Sequence, residues 1–600
     1  MRNNIVVIFC SFLFSTAIAQ ELLPPPIPWK GKSEKLIADD KNNWITPTEQ
    51  NQFKQTPGYE ETVNWLQDLC GQSDLLAMVS IGKSLENRDI WMVVASTSPD
   101  KTVKGIEESK KPSVLIQAGI HAGEIDGKDA GMMLLRDIAF GKKRSLINSV
   151  NLLFIPILNV DGHERTSAYN RPNQRGPENM GWRTNSKNLN LNRDYSKLET
   201  RGIQSVVKVI NEFEPVLYID VHVTDGADYQ YDVTYGSINR GGYSPHISAW
   251  LSKSFNPQMN EELEKMGHVP GPLLLSKNDK DFSEGNIDFF FDPGFSHSYG
   301  DVRHLPTILV ENHSLKDFRR RVLGTYVFME KALKLVAEER AVLIDNIQKD
   351  KGNVNSEVVL SWKFTKDSTG NFIPSNSFLL KGISTDYKKS MVTNQEYVNW
   401  TGNKEDIVVF NYKNNVPDIT VKKPLAYWIP AAWTDVITIL EMHGVEMEVI
   451  ESPSVKLVNI SKIEEYSFQG RPFEGHIKVI PKAIVDREME EVYQKGSVRI
   501  STQQPLGDLV VLLLEPQSSQ SFFQWGYFNT IFSRTEYIES YVLEPYIEKI
   551  LKEDAELKTK FEEFKSGNTG LTPRAIMSWF YSQSPYYDSR YLLYPVGREY

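Results

Sequence analysis

An α/β domain followed by a β-rich α+β region is what this 600-residue chain predicts. Three observations carry the expectation. From about Tyr59 to Asp345, short apolar runs alternate with amphipathic helical stretches. Those runs are apolar at every position rather than at every second one, as strands are when helices cover both faces of their sheet. Beyond Asn353 the apolar runs are shorter and mixed with a few helical segments. At roughly 100–200 residues per domain, the length accommodates two or three domains.

The elements follow in chain order. Arg2, the apolar stretch from Ile5 to Phe14 and the small-residue pattern Ala17-Ile18-Ala19 make residues 1–19 a signal peptide, cut after Ala19. The stretch is too short to span a bilayer. The chain is therefore expected to be exported, periplasmic or secreted, with no stable membrane anchor. Of its two cysteines, Cys10 leaves with the signal, so Cys70 can form no internal disulfide. So few cysteines in an exported chain suit a bacterial periplasm. Residues 20–58 form an N-terminal extension, stiffened by Pro24-Pro25-Pro26. Strands are expected at 76–81, 90–95, 113–120, 151–157, 216–223 and 307–310. Ile203, Val206, Val207, Ile210 and Phe213 share one helical face, so residues 199–213 should pack on the sheet. A charged helix ends near Ile347, and residues 349–353 read as a linker. Residues 354–600 then form an accessory region of unknown role. Its β-type runs lie at 357–364, 407–411 and 509–514, and its helices at 433–443 and near 536–551. His443 and His476, in that region, lack metal-ligand spacing.

Composition narrows the function classes. Hydrophobic residues make 40% and charged residues 24%, and 37 Gly with 31 Pro is ordinary for a folded protein. A formal net charge of −10 gives no basic face for nucleic acid.

The chemistry sits at strand ends. The expected strand 113–120 runs straight into His121-Ala122-Gly123-Glu124, whose imidazole and carboxylate can turn onto one metal ion. Zinc suits such N/O ligation, and a catalytic site uses three protein ligands with one position left for water. His222, closing the buried run 216–221, is the best third ligand, with His163 and His313 next. In open α/β sheets, ligands collect at the carboxyl ends of strands. Between the two motifs lies a long polar loop, about 159–192, and loops of that length in compact domains usually serve function. Glu311 ends a third apolar run, where a carboxylate is either desolvated and reactive or paired.

His121-x-x-Glu124, Trp182-Arg183-x-Asn185, Asn190-x-Asn192-Arg193, His222, Tyr299 and Glu311 stand in the order seen in zinc metallocarboxypeptidases. Over residues 59–347 the chain resembles peptidase family M14, and within it an exported bacterial branch. Trp428-Ile429-Pro430 and Gln504-Pro505-Leu506-Gly507 resemble that branch's C-terminal region. The resemblance implies a central mixed, largely parallel sheet with helices on both faces. It implies a metallocarboxypeptidase that holds one Zn²⁺ per chain through His121, Glu124 and His222. Glu311 would be general base and then acid, and Arg183 would stabilise charge on the carbonyl oxygen. Arg193, helped by Asn192, would grip the free C-terminal carboxylate of a peptide substrate, and Tyr299 would close over it. Asn190 stands where an aspartate is common behind the first histidine, and Gly123 where some members carry arginine. Tyr299 lies closer to Glu311 than in the digestive enzymes. Arg303, His304 and Asp225 are candidates for reading the terminal side chain. The same site would also suit a zinc amidase acting on cell-wall stem peptides or N-acyl amino acids. A non-catalytic binding protein on this scaffold is the remaining alternative.

Overall fold

The computed structural model describes residues 22–238, 242–278, 281–353 and 355–600. The expected signal peptide, residues 1–19, lies outside the described residues. Among those described, no helix is long and apolar enough to cross a membrane.

The chain divides into two compact units. The first comprises residues up to Lys423 with Asp435–Glu446 and Ser501–Ser521. Its main sheet uses β1 (Leu76–Lys83), β2 (Asp89–Ala95), β3 (Ser113–Ala118), β4 (Asn151–Ile155), β5 (Leu217–Val223), β6 (Val233–Gly236), β7 (Pro270–Pro272) and β10 (Thr307–Asn312). The spatial order is β1-β2-β4-β3-β5-β10-β6-β7. The central strands β4, β3, β5 and β10 run parallel; β1 and β2 pair antiparallel with their neighbours, and β6 pairs antiparallel with β10 and parallel with β7. The sheet is mixed, as expected.

Burial on both faces explains the unbroken apolar runs. Val114, Ile116, Leu152, Phe154, Ile219 and Val310 join a core with helices Asp126–Ala139 and Phe318–Lys351. Leu115, Leu153 and Leu309, one position along each strand, are buried on the opposite face. Helix Arg201–Phe213 presents Ile203, Val206, Val207 and Ile210 inward, the stripe read from the sequence.

A second sheet lies in the same unit. Here β8 (Ser276–Asn278) and β9 (Asp281–Asp288) continue into the long hairpin of β12 (Asn376–Lys389) and β13 (Glu396–Lys413). β13 joins β9 in parallel, with Asn411 opposite Asn286 and Lys413 opposite Asp288. β11 (Glu357–Lys363) and β14 (Val416–Lys422) form a separate ribbon. This corrects the expected division: helix Phe318–Lys351 consumes most of the supposed linker, and the first unit continues past residue 354 because β13 pairs back onto β9. Residues 509–514, expected as strand, form helix Gly507–Leu514. Every residue of that helix is buried, so its apolar run carried no period to separate helix from strand.

The second unit comprises Pro424–Thr434, Met447–Ile500 and Phe522–Tyr600. Its six-stranded sheet is built around the hairpin of β17 (Ser454–Phe468) and β18 (Val479–Tyr493). Trp428, Val458, Ile460 and Tyr493 form one small core. A second core, around Leu543, Ile547, Phe580 and Tyr581, joins helices Ser540–Glu553, Ala555–Gly567 and Pro573–Ser582.

Candidate active site

Three adjacent parallel strands deliver the site. β3 ends at Ala118, and Gly119, at φ +68°, turns the chain so that His121 and Glu124 follow immediately. β5 carries His222 and β10 carries Glu311, in register opposite each other. All lie at carboxyl ends of the strands.

His121 Nδ1, His222 Nδ1 and the Glu124 carboxylate converge. The two nitrogens are 3.1 Å apart, and each is 3.1 Å from Glu124 Oε2. Tetrahedral zinc, at about 2.0–2.1 Å from N or O ligands, sets neighbouring donors about 3.3 Å apart, so this spacing fits the metal. The far nitrogens are already used. His121 Nε2 donates to Asn190 Oδ1 at 3.0 Å and His222 Nε2 to Asp220 Oδ2 at 2.8 Å. Those bonds select the tautomer that leaves both Nδ1 lone pairs facing the centre. All three ligands are buried. Burial pushes His121 down to about 4. Burial also works against charge on His222, but Asp220 and Glu124 overcome it and push that imidazole up to about 10, so a metal binding there would displace the proton from its Nδ1.

Around the ligands, Arg183 Nη1 lies 3.2 Å from Glu124 Oε1. Its side chain is 36% exposed, enough to reach a substrate oxygen. Glu311 is half-buried on the same cavity; burial pushes its carboxyl up to about 7 against the pull of His222. The cavity measures about 550 Å³, and His121, Glu124, Arg183, Asp225 and Glu311 are among the polar residues that line it.

The structure places other expected residues differently. Tyr299, Asn192 and Arg193 are not among the residues that line this cavity. Tyr299 is also turned away from it. It is 1% exposed, its hydroxyl bonded to His443 Nδ1 at 2.7 Å and accepting from Arg303 Nη1 at 2.8 Å. The ring packs inward on Tyr195, so closure over a substrate is not open to it. Asn192 is buried and braces the metal site instead: its Oδ1 accepts from Ser296 N, and its amide lies 3.4 Å from His222 Nε2. Arg193 stacks its guanidinium 4.0 Å over Phe295 and donates to Asn192 O. Among the side-chain readers suggested by sequence, Asp225 lines the cavity, whereas Arg303 holds Asn211 and His443 O, and His304 bonds Ser244. His163 and His313 lie with Lys128 and Asp228, respectively, not with the ligands.

Three residues escaped sequence reasoning. Asp220 sits two positions before His222 on β5, hence on the same strand face, and that spacing could have revealed it. Arg171, 7% exposed, contacts Glu124 Oε1 at 2.9 Å from the long loop. It packs against Gly123, where an added Cβ would meet Arg171 Cγ and Gly181 O at 2.7 Å each. His297 lines the cavity beside Phe291. No spacing pointed to either.

The chain is similar to known carboxypeptidases. A family model described as zinc carboxypeptidase, Peptidase_M14, matches residues 62–267. Carboxypeptidase 2 of Trichophyton tonsurans is 22% identical over 467 residues, covering 74% of this chain and 79% of the relative. Carboxypeptidase Z of Gallus gallus is 30% identical over 162 residues, 25% of this chain and 23% of that one. Among solved structures, carboxypeptidase A from Helicoverpa armigera aligns at 18% identity and TM-score 0.37, covering 52% of this chain and 80% of its own. Residues 62–267 therefore belong to the M14 zinc carboxypeptidases, and the chain is a metallocarboxypeptidase that acts on peptides.

Proposed function

We propose that this enzyme removes C-terminal residues from peptides outside the cytoplasm, with His121, Glu124 and His222 as zinc ligands and Glu311 as the proton-transferring group. One observation carries the reading: two imidazole nitrogens and a carboxylate stand at 3.1 Å spacing, and His121 and Glu124 of that group line one cavity with a second carboxyl, Glu311. Zinc, when bound, supplies a Lewis acid and lowers the pKa of a bound water. Glu311 takes a proton from the attacking water and later gives it to the leaving amine. Burial suits it to both roles, because a carboxyl near 7 is neither too weak a base nor too weak an acid at neutral pH. Arg183 faces the oxygen of the scissile carbonyl as negative charge develops there. Arg171 contacts the same Glu124 Oε1 as Arg183, so that oxygen keeps a cation when Arg183 turns toward substrate.

Arg193 meets the substrate's free carboxylate in this reading, and Phe295 fixes its guanidinium plane. The signal-peptide pattern of residues 1–19 supports export. The test is a zinc analysis joined to a panel of peptides and their C-terminal amides. One zinc per chain is expected, with kcat/KM for the free acids at least 30-fold above the amides; an uncompensated charge costs about 2–5 kcal/mol. Arg193→Ala should shrink that difference by harming the free acid alone. Equal turnover of acid and amide would overturn the exopeptidase reading.

A further inference from the structure

Besides its polar groups the cavity has an apolar lining. Leu273, Leu274, Leu275, Phe289, Phe290 and Phe291 contribute to it, in or beside the β8–β9 segment. Phe378 of β12 completes this wall, together with Asn376, Asn411 and Lys413 from the two strands of the hairpin. These strands follow the family-matched residues by more than a hundred positions, yet they reach the same cavity as His121 and Glu311.

The hairpin base is held rigidly there. Asn286 Nδ2 donates to Asn411 Oδ1 at 3.0 Å while its own Oδ1 accepts from Leu275 N at 2.8 Å. Phe290 N donates to Asn414 Oδ1. Gln230 N donates to Lys381 O at 2.8 Å, and Leu380 and Val409 pack with Tyr229, Tyr231 and Phe282. Lys413 faces Asp288 at 3.6 Å, so these two charges offset one another. A charged substrate side chain would find no net countercharge here, whereas a large apolar one would bury surface at about 25 cal/mol per Å².

We propose that the β12–β13 hairpin is a specificity element: its base, through Phe378, which lines the cavity together with Leu274, Leu275 and Phe289, receives a large apolar side chain of the peptide substrate. The inference rests on the peptidase reading above and names the substrate class of that site. Phe378 acts by contact with substrate and not on the reacting atoms.

The test uses the zinc-loaded full-length enzyme and two peptide series. One varies the terminal residue and the other the penultimate residue through Phe, Leu, Ala, Asp and Lys. In at least one series the wild type should favour Phe or Leu over Ala, Asp and Lys by tenfold or more in kcat/KM. Phe378→Ala should reduce that ratio several-fold, chiefly through KM, with zinc content unchanged, and Phe378→Leu should restore most of it. Removing the hairpin tip, residues 386–399, leaves every lining residue in place and should leave the preference intact. Preference unaltered in a folded, zinc-replete Phe378→Ala, or no side-chain preference in either series, overturns the proposal while the peptidase reading stands. No turnover of any peptide by zinc-loaded enzyme overturns both.

Discussion

Replacing Asp220 with Asn probes how tightly the site must hold His222. The carboxylate is fully buried and works with both oxygens: Oδ2 accepts from His222 Nε2 at 2.8 Å, and Oδ1 accepts from Gln117 Nε2 at 2.9 Å. Asn has the same shape but only one acceptor, so either orientation sets its NH₂ against a donor. Gln117 cannot turn round freely to relieve this, because its Oε1 accepts from Tyr218 Oη at 2.9 Å. Losing the partner behind a metal-ligating histidine typically costs 10–100-fold in metal affinity. With the donor clash added, Asp220→Asn is expected near the upper figure, about 2.7 kcal/mol. His121 offers the converse experiment, since Asn190 already supplies an amide there. Asn190→Asp should make His121 a more basic ligand and tighten zinc by up to about tenfold. The assay is competition for zinc against a chelating indicator at fixed pH, with thermal melting of the metal-free proteins as a control. An Asp220→Asn protein that melts normally and binds zinc within threefold of wild type would refute the reasoning.

Other expectations follow from the same geometry. Glu311→Gln keeps size and hydrogen bonding but removes the base; kcat should fall by at least about 10²–10⁴-fold with zinc content preserved. A variant within tenfold of wild type would assign the proton transfer elsewhere. Because activity needs Glu311 ionised and burial raises its carboxyl to about 7, kcat/KM should fall as pH drops through the folded value. A bound dication lowers a nearby carboxyl, so the acid limb should lie at or below about 7, and Glu311→Gln should abolish it in a pH–rate profile. Gly123→Ala should lower the melting temperature, because the new Cβ meets Arg171 Cγ and the Gly181 carbonyl at 2.7 Å, and such overpacking costs about 1–3 kcal/mol. An unchanged melting temperature would show that Arg171 and its loop give way without cost.

The candidate metal site was visible in the sequence because each proposed ligand sits where local pattern is strongest. β3, β5 and β10 are buried on both faces, so their apolar runs stand out, and the polar residue at each end is conspicuous against them. His121, Glu124, His222 and Glu311 were legible for that reason. Tyr299 was misjudged because its position was taken from chain order, whereas its direction depends on the helix that carries it. Helix Ser296–Val302 turns Tyr299 toward Tyr195 and His443. His443, 144 residues away in sequence, had no local pattern linking it to that tyrosine.

The same distinction explains the cavity's apolar lining. A ligand triad is set by a few residues close to strand ends, so short motifs describe it. A specificity wall is a surface, and here it draws on Leu274, Phe289 and Phe378 from segments far apart in sequence that strand pairing and side-chain hydrogen bonds bring together. The pairing of β13 with β9 is parallel and joins residues 286–288 to 411–413, a contact no periodicity encodes. Gly123 and Arg171 illustrate the point at smaller scale. Gly123 leaves a space that Arg171 fills from a loop 48 positions later, at 2.9 Å from Glu124. A guanidinium thus stands beside Glu124 although the His121–Glu124 motif itself contains none. The motif read alone shows no cation there, because the cation arrives through folding and not through spacing.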